Sequence, residues 1–241
     1  MATKKSKSVG LDSNALPPGT APYDPLDLKT LATSMAKVVL EQPVHPLTKV
    51  PVFEGAGVYI IYYTGNYEPY KSIAQGNRGR KWKQPIYVGE AARKGARKGG
   101  VLAEGPAGKV LFQRLKNHAD SIRNTQNLKP EDFYCRYLPL KDFFIPLCES
   151  LLIDRYTPIW NKVIDGFGNK VVGAGREEKQ QKSMWDVLHP GRFGAAAKAN
   201  KKYPTAEAVL DKLQKFYAGK RVQLIPTADA VSAAEEDGEK V

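Results

Sequence analysis

The stretch GVYIIYYTG, Gly57 to Gly65, reads as a strand, and it carries three tyrosines. Further on, PIYVGEA, Pro85 to Ala91, repeats the pattern of apolar run, tyrosine and glycine. Tyrosine is a favoured strand residue, so packing alone would account for these phenols. A phenol can also hold or take a proton beside a phosphate. The rest of the chain has to decide between the two uses.

Around this pair the elements run helix, strand, strand, helix, strand, helix, followed by an appendage. Asp27 is placed to cap a helix from about Leu28 to Leu40, with Leu28, Leu31, Met35, Val38 and Val39 on one face. Gly57 to Tyr63 and Ile86 to Glu90 form a hairpin whose tip, TGNYEPYKSIAQGNRGRKWKQ, is enlarged into a basic, turn-rich connection. The glycine-rich ARKGARKGGVLAEGPAG, Ala92 to Gly108, suits no regular element. A helix over Lys109 to Arg123, a third strand over Phe133 to Leu140 and a second helix over Phe144 to Tyr156 follow. The pattern weakens over 165–204, and Thr205 opens a last helix. This order predicts an α+β fold: a small central three-stranded antiparallel sheet flanked by helices, with basic loop insertions and N- and C-terminal elaborations. Residues 1–24 read as a flexible basic arm, 25–225 as one elaborated domain, and 226–241 as an acidic, disordered tail.

The net charge of +12 is unevenly placed. From Lys71 to Arg123 there are 13 lysines and arginines against Glu90, Glu104 and Asp120. A block that basic, broken by glycines, points to a polyanion as partner. The two cysteines, Cys135 and Cys148, lie in apolar surroundings without metal-ligand spacing, which suits a reducing compartment. No run of 18 apolar residues and no apolar stretch behind the N-terminal lysines is present, so no membrane segment and a cytoplasmic protein are expected.

In FQRLKNHADSI, Arg114 and His118 are four apart and project from one side of a helix, beside the stripe Leu111, Leu115, Ala119 and Ile122. Taken alone they read as a surface pair. Glu149 lies among Leu147, Cys148, Leu151 and Leu152, where a carboxylate is costly unless it is paired or binds a cation. A salt bridge to Arg114 or to a lysine would satisfy it equally well. Asn161, by itself, is a helix-terminal residue. Assembled around a phosphodiester, these groups fit its hydrolysis. Arginine is a planar, permanently charged clamp, and one carboxylate suits one Mg²⁺. A tyrosine becomes a base only beside positive charge or a histidine that takes its proton.

The order GVY (57–59), YVG (87–89), Arg114 and His118 on a helix, Glu149 and then Asn161 resembles the GIY-YIG nuclease superfamily over residues 55–163. YVGEAARKGARKG, FQRLKNHADSI and CESLLIDRYTPIWN resemble its type II restriction endonucleases, in particular a branch that cuts CCGCGG. The resemblance implies a metal-dependent DNA endonuclease using Mg²⁺ or Mn²⁺. By position it makes Tyr59 the base, His118 its proton acceptor, and Tyr87 a holder of phosphate and water. Arg114 becomes the transition-state clamp, Glu149 the metal ligand and Asn161 an orienting residue. A homing or repair nuclease, or a non-catalytic nucleic-acid-binding protein, would use the same scaffold. On the restriction-enzyme reading, Arg78, Arg80, Lys81, Lys83, Arg93, Lys94, Arg97 and Lys98 embrace double-stranded DNA, with Arg93 or Arg97 reading bases. A palindromic target implies a homodimer, for which the apolar faces of Leu31 to Val39 and Met184 to Leu188 are available.

Overall fold

A computed structural model describes residues 27–93, 106–168, 182–192 and 205–225. The basic arm, the acidic tail and most of the glycine-rich loop lie outside the described residues.

Strand β2 (Gly57–Tyr63) is the centre of the molecule, and all seven of its residues are buried. Side chains alternate across a strand. Tyr59, Ile61 and Tyr63 therefore join one apolar cluster, and Val58, Ile60 and Tyr62 join another on the opposite face. The first cluster is closed by helix α3 (Val110–Arg123) through Leu111, Leu115, Ala119 and Ile122. The second is closed by α1 (Leu28–Glu41) and α4 (Ile145–Tyr156) through Met35, Ala36, Val39, Ile145, Cys148 and Leu152. Burial on both faces explains why the strand reads as an unbroken apolar run. Asp27 caps α1 as expected, accepting from the Thr30 N–H at 3.4 Å. Val38, expected on the core face of that helix, is exposed instead.

On one side β2 pairs antiparallel with β3 (Pro85–Ala91), and on the other with β4 (Phe133–Pro139). The sheet has four strands and not three, because the two-residue β1 (His45–Pro46) adds to β4 and gives the order β1-β4-β2-β3. Two residues are too short to show a period, and one of them is a proline, so β1 leaves no pattern to read. The enlarged hairpin tip also differs from a plain loop. It contains helix α2 (Lys71–Asn77), whose Ile73 and Ala74 are buried. At its base the buried Asn77 side chain donates to the carbonyls of Tyr63 and Gln84, at 3.0 and 2.8 Å, and accepts from the Gln84 N–H at 2.9 Å.

The later elements pack onto the α3 side. Helices α5 (Ile159–Lys162), α6 (Met184–Leu188) and α7 (Ala206–Tyr217) contribute Trp160, Trp185, Leu188, Val209 and Leu213 to the first cluster. Trp185 is fully buried there, so its ring serves the core and is not available to a second copy. Met35, Ala36 and Val39 likewise pack inside the protein. Both cysteines are buried and free, and burial pushes their thiols up to about 12.

A buried polar chain ties this appendage down. Trp160 Nε1 donates to the Tyr70 hydroxyl at 2.9 Å, which lies 2.6 Å from His189 Nε2; His189 Nδ1 is 2.9 Å from Asn127 Oδ1. Burial, aided by the charge of Arg192, pushes the His189 imidazole down from 6.5 to about 3. The unfolded chain therefore takes up this proton first. The stability that the neutral imidazole contributes is complete above pH 6.5 and is lost as the pH falls towards about 3. Urea melts across this range will show that decline, and His189→Gln will show a shallower one. Identical slopes for both proteins would contradict it.

Candidate active site

Tyr59 and Tyr87 come from adjacent strands and face α3 together, with ring centroids 6.1 Å apart. What lets them do so is Gly89, paired across the hairpin with Tyr59. A Cβ there would lie against the Tyr59 hydroxyl, 2.5 Å from its Cζ and 2.8 Å from Tyr87 Cε1. The last letter of the YVG motif is thus the space that the Tyr59 phenol occupies. Tyr62 and Tyr63 do not join the site. Tyr62 packs on Trp82 beneath Arg136, and the Tyr63 hydroxyl accepts from the Tyr67 N–H at 2.8 Å.

Because Leu111 and Leu115 dock α3 in the core, its next face meets the two phenols. His118 is buried and not a surface residue, and its Nε2 lies 2.5 Å from the Tyr59 hydroxyl. Arg114, one turn earlier and half-buried, faces both phenols and donates to the Gly168 carbonyl at 2.8 Å. Glu149 reaches the same neighbourhood from α4, half-buried, and its charge bears on both tyrosines. Asn161 occupies a less direct place. Its amide accepts from the Val88 N–H and donates to the Val88 carbonyl, both at 2.8 Å. It takes the position of a neighbouring strand at the free edge of β3, between Tyr87 and Gly89.

Burial dominates the proton affinities. It raises Tyr59 well above the ordinary phenol value, with Tyr87 and Glu149 adding to the rise and Arg114 opposing it. Tyr87 is raised by the same burial, opposed by Arg114. His118 is driven well below 6.5 by burial, then by the positive charges of Arg114 and Arg192. At neutral pH the pair is therefore a neutral phenol sharing a hydrogen bond with a neutral imidazole. Among the described residues the site brings together the Arg114 cation, a proton path from Tyr59 to His118 and the Glu149 carboxylate. That combination suits an anion undergoing a reaction that releases a proton.

Among the described residues no three His, Cys, Asp or Glu side chains converge on a common point. A cation here would rest on the single carboxylate of Glu149, with its other positions left to water and to oxygens of the bound anion. Mg²⁺ is commonly held in this way, through one or two carboxylates and several waters.

Of the basic residues assigned to the DNA mouth, Arg80, Lys81 and Lys83 are exposed. Arg78 is committed to its own loop, donating to the Thr64 and Gly65 carbonyls and to Asn66 Oδ1 at 3.2, 2.8 and 2.5 Å. Arg93 holds the buried Asp142 carboxylate at 2.5 Å. Lys94, Arg97 and Lys98 lie outside the described residues. Phe167, Gly168 and Arg192 were not singled out from the sequence. Phe167 stacks on His118 at 4.5 Å between centroids and meets the Tyr87 ring edge-on at 4.9 Å.

Compared with known families, residues 51–217 match the model of the Eco29kI GIY-YIG domain, RE_Eco29kI. No curated protein matches the chain.

The packing against Gly89 sets a direct test. Gly89→Ala forces the Tyr59 and Tyr87 rings apart, and overpacking of this kind costs about 1–3 kcal/mol. Urea melts of the variant will show that loss. A melt equal to that of the parent would mean that the two phenols are not held against Gly89.

Proposed function

The chain belongs to the Eco29kI GIY-YIG family of restriction endonucleases, and on that premise we propose that it is a type II site-specific deoxyribonuclease. It hydrolyses phosphodiesters in double-stranded DNA at a G·C-rich palindrome such as CCGCGG, in the cytoplasm. The observation that carries this reading is the buried Tyr59–His118 hydrogen bond at 2.5 Å, with Arg114 facing the same phenol.

Arg114 and Glu149 are the two charged groups of the site that keep some contact with solvent, so the phosphate enters on their side. Arg114 binds its non-bridging oxygens, and Tyr87 helps hold phosphate and water. The attacking water gives a proton to the Tyr59 oxygen as Tyr59 passes its own to His118 Nε2. The new bond joins water oxygen to phosphorus, the bond to the leaving oxygen breaks, and that oxygen takes a proton from solvent. His118 ends protonated. Its depressed affinity returns the proton to solvent readily and readies the pair for another turnover. Arg114 stabilises the charge that builds on phosphorus oxygens, an effect of the kind that dominates many enzymes. Glu149 would hold Mg²⁺ or Mn²⁺, which supplies Lewis-acid stabilisation of the phosphate and leaving oxygen.

Each chain has one such site, and a palindrome presents two strands. Two copies related by a two-fold axis match the symmetry of the DNA. Met35 and Val39 of α1 and Trp185 of α6 are occupied internally, whereas Val38 of α1 is exposed.

Incubation of supercoiled plasmid with Mg²⁺, and separately with EDTA, tests the reading, followed by sequencing of the ends. Linear product with one defined end sequence is expected, and only with Mg²⁺. Glu149→Gln will bind the target duplex without cutting it. Tyr59→Phe will cut about 10²–10⁴-fold more slowly, the size of a general-base contribution. Normal cutting by Tyr59→Phe would return that phenol to a packing role. Light scattering of Glu149→Gln on a duplex with one site will give two chains per duplex; one chain would contradict the dimer.

A further inference from the structure

The four residues Asp165–Gly168 lie across the site and tie it to the appendage. Phe167 lays its ring face on His118 and touches Tyr87. Gly168 accepts the Arg114 guanidinium and passes so close to Tyr87 that a Cβ there would sit 2.5 Å from the hydroxyl. This short strap therefore touches Arg114, His118 and Tyr87.

What holds the strap is a second arginine. Arg192 is buried, its side chain 1% exposed. Its Nη1 donates to the Phe167 carbonyl and its Nη2 to the Gly166 carbonyl, both at 2.8 Å. Its Nε donates to Asp186 Oδ1 at 2.8 Å, and the guanidinium lies over the Trp185 ring at 4.6 Å. Asp186 is fixed in turn by the Ser183 hydroxyl and N–H, at 2.6 and 3.1 Å, and Ser183 packs where Gly166 has no side chain. The Met184 N–H donates to Asp165 Oδ1 at 3.1 Å, and the Trp185 N–H to the Asp165 carbonyl at 2.9 Å. A buried charge that bonds two consecutive carbonyls fixes the peptide plane between them. That plane sets the direction in which Phe167 and Gly168 leave it.

We infer that Arg192 is a positioning residue of the active site: through Gly166 and Phe167 it holds the strap that orients His118, Tyr87 and Arg114. The inference rests on the nuclease reading of those three residues. Arg192 touches neither DNA nor the reacting atoms in this role. It works as the planar fork of its guanidinium, which spans two carbonyls and a carboxylate at once. Lysine carries the same charge but no such fork.

Arg192→Lys separates geometry from charge, since it leaves a cation near His118. Two measurements on it are needed, with Phe167→Leu and the double variant alongside. The first is the ring-current shift of the His118 imidazole protons by NMR, which requires no activity and is simple to assign in a chain with three histidines. The second is the single-turnover cleavage rate with DNA affinity measured in parallel.

Arg192→Lys is expected to lose the upfield shift at His118 and to cut about 10²-fold more slowly, as misplacement of a catalytic group by an ångström does. Its DNA affinity will match the parent's, and in the double variant the two losses will be less than multiplicative. An unchanged His118 shift, or losses that multiply in the double variant, would overturn the inference. If Arg192→Lys does not fold, Phe167→Leu decides the matter, and a parental rate in that variant overturns the inference too. If the parent protein cuts no duplex, the nuclease reading falls, while the NMR measurement still decides whether Arg192 holds the strap.

Discussion

A single hydrogen bond, between the Tyr59 hydroxyl and His118 Nε2, sets terms that the rest of the structure has to meet. It is made wholly inside the protein, so both partners must be neutral and their other contacts satisfied. Strand β2 must lie in the middle of the sheet to bring Tyr59 so deep. Gly89 must leave room beside it, and α3 must dock through its leucines at a height that brings His118 level. A buried imidazole also needs a lid of aromatic surface, which Phe167 provides. Sheet order, helix placement and the covering strap are three answers to one requirement.

The protein contains a second pair of the same chemical kind, Tyr70 with His189, and the contrast is informative. Tyr70 receives the Trp160 indole, His189 reaches Asn127, and Asn127 donates to the Leu188 carbonyl at 2.9 Å. Every member of that chain has a protein partner, and the chain holds the appendage to the core. Beside Tyr59 the partners are Arg114 and Glu149, which keep contact with solvent. A tyrosine–histidine pair becomes a candidate for chemistry through the charges around it, not through its own geometry.

Much of this was legible in the sequence because it is periodic. The strands at 57 and 85, the α3 stripe, β4 and α4 all show the spacing of their elements, and five side chains of the site, Tyr59, Tyr87, Arg114, His118 and Glu149, lie on them. Long-range polar bonds leave no such trace. Asn161 read as a helix end, yet its amide serves the edge of β3. Arg78 and Arg93 read as DNA contacts, and their bonds to loop carbonyls and to Asp142 could not be read from the sequence. Of the three tyrosines in β2, alternation sends Tyr62 to the far face, and only Tyr59 is level with α3. Helix α2 is one short stretch with two glutamine-like polar positions among its few apolar ones, too brief to show a moment. Phe167 and Arg192 lie in segments where glycine and lysine mask any pattern, and only the folded chain brings them together.

Asn77 gives the hairpin a property of its own. By bonding to Tyr63 on one side and Gln84 on the other, it closes the base of the insertion with side-chain hydrogen bonds. A slip of one residue between β2 and β3 would turn Tyr59 to the opposite face of the sheet. The closure isolates that register from whatever lies beyond it. Tyr70, Ile73 and Ala74 stay with the core, while the exposed positions Lys71, Gln75, Arg80 and Lys81 can be exchanged or decorated as the phenol keeps its partner, which makes them a place where new surface chemistry can evolve without disturbing old catalysis.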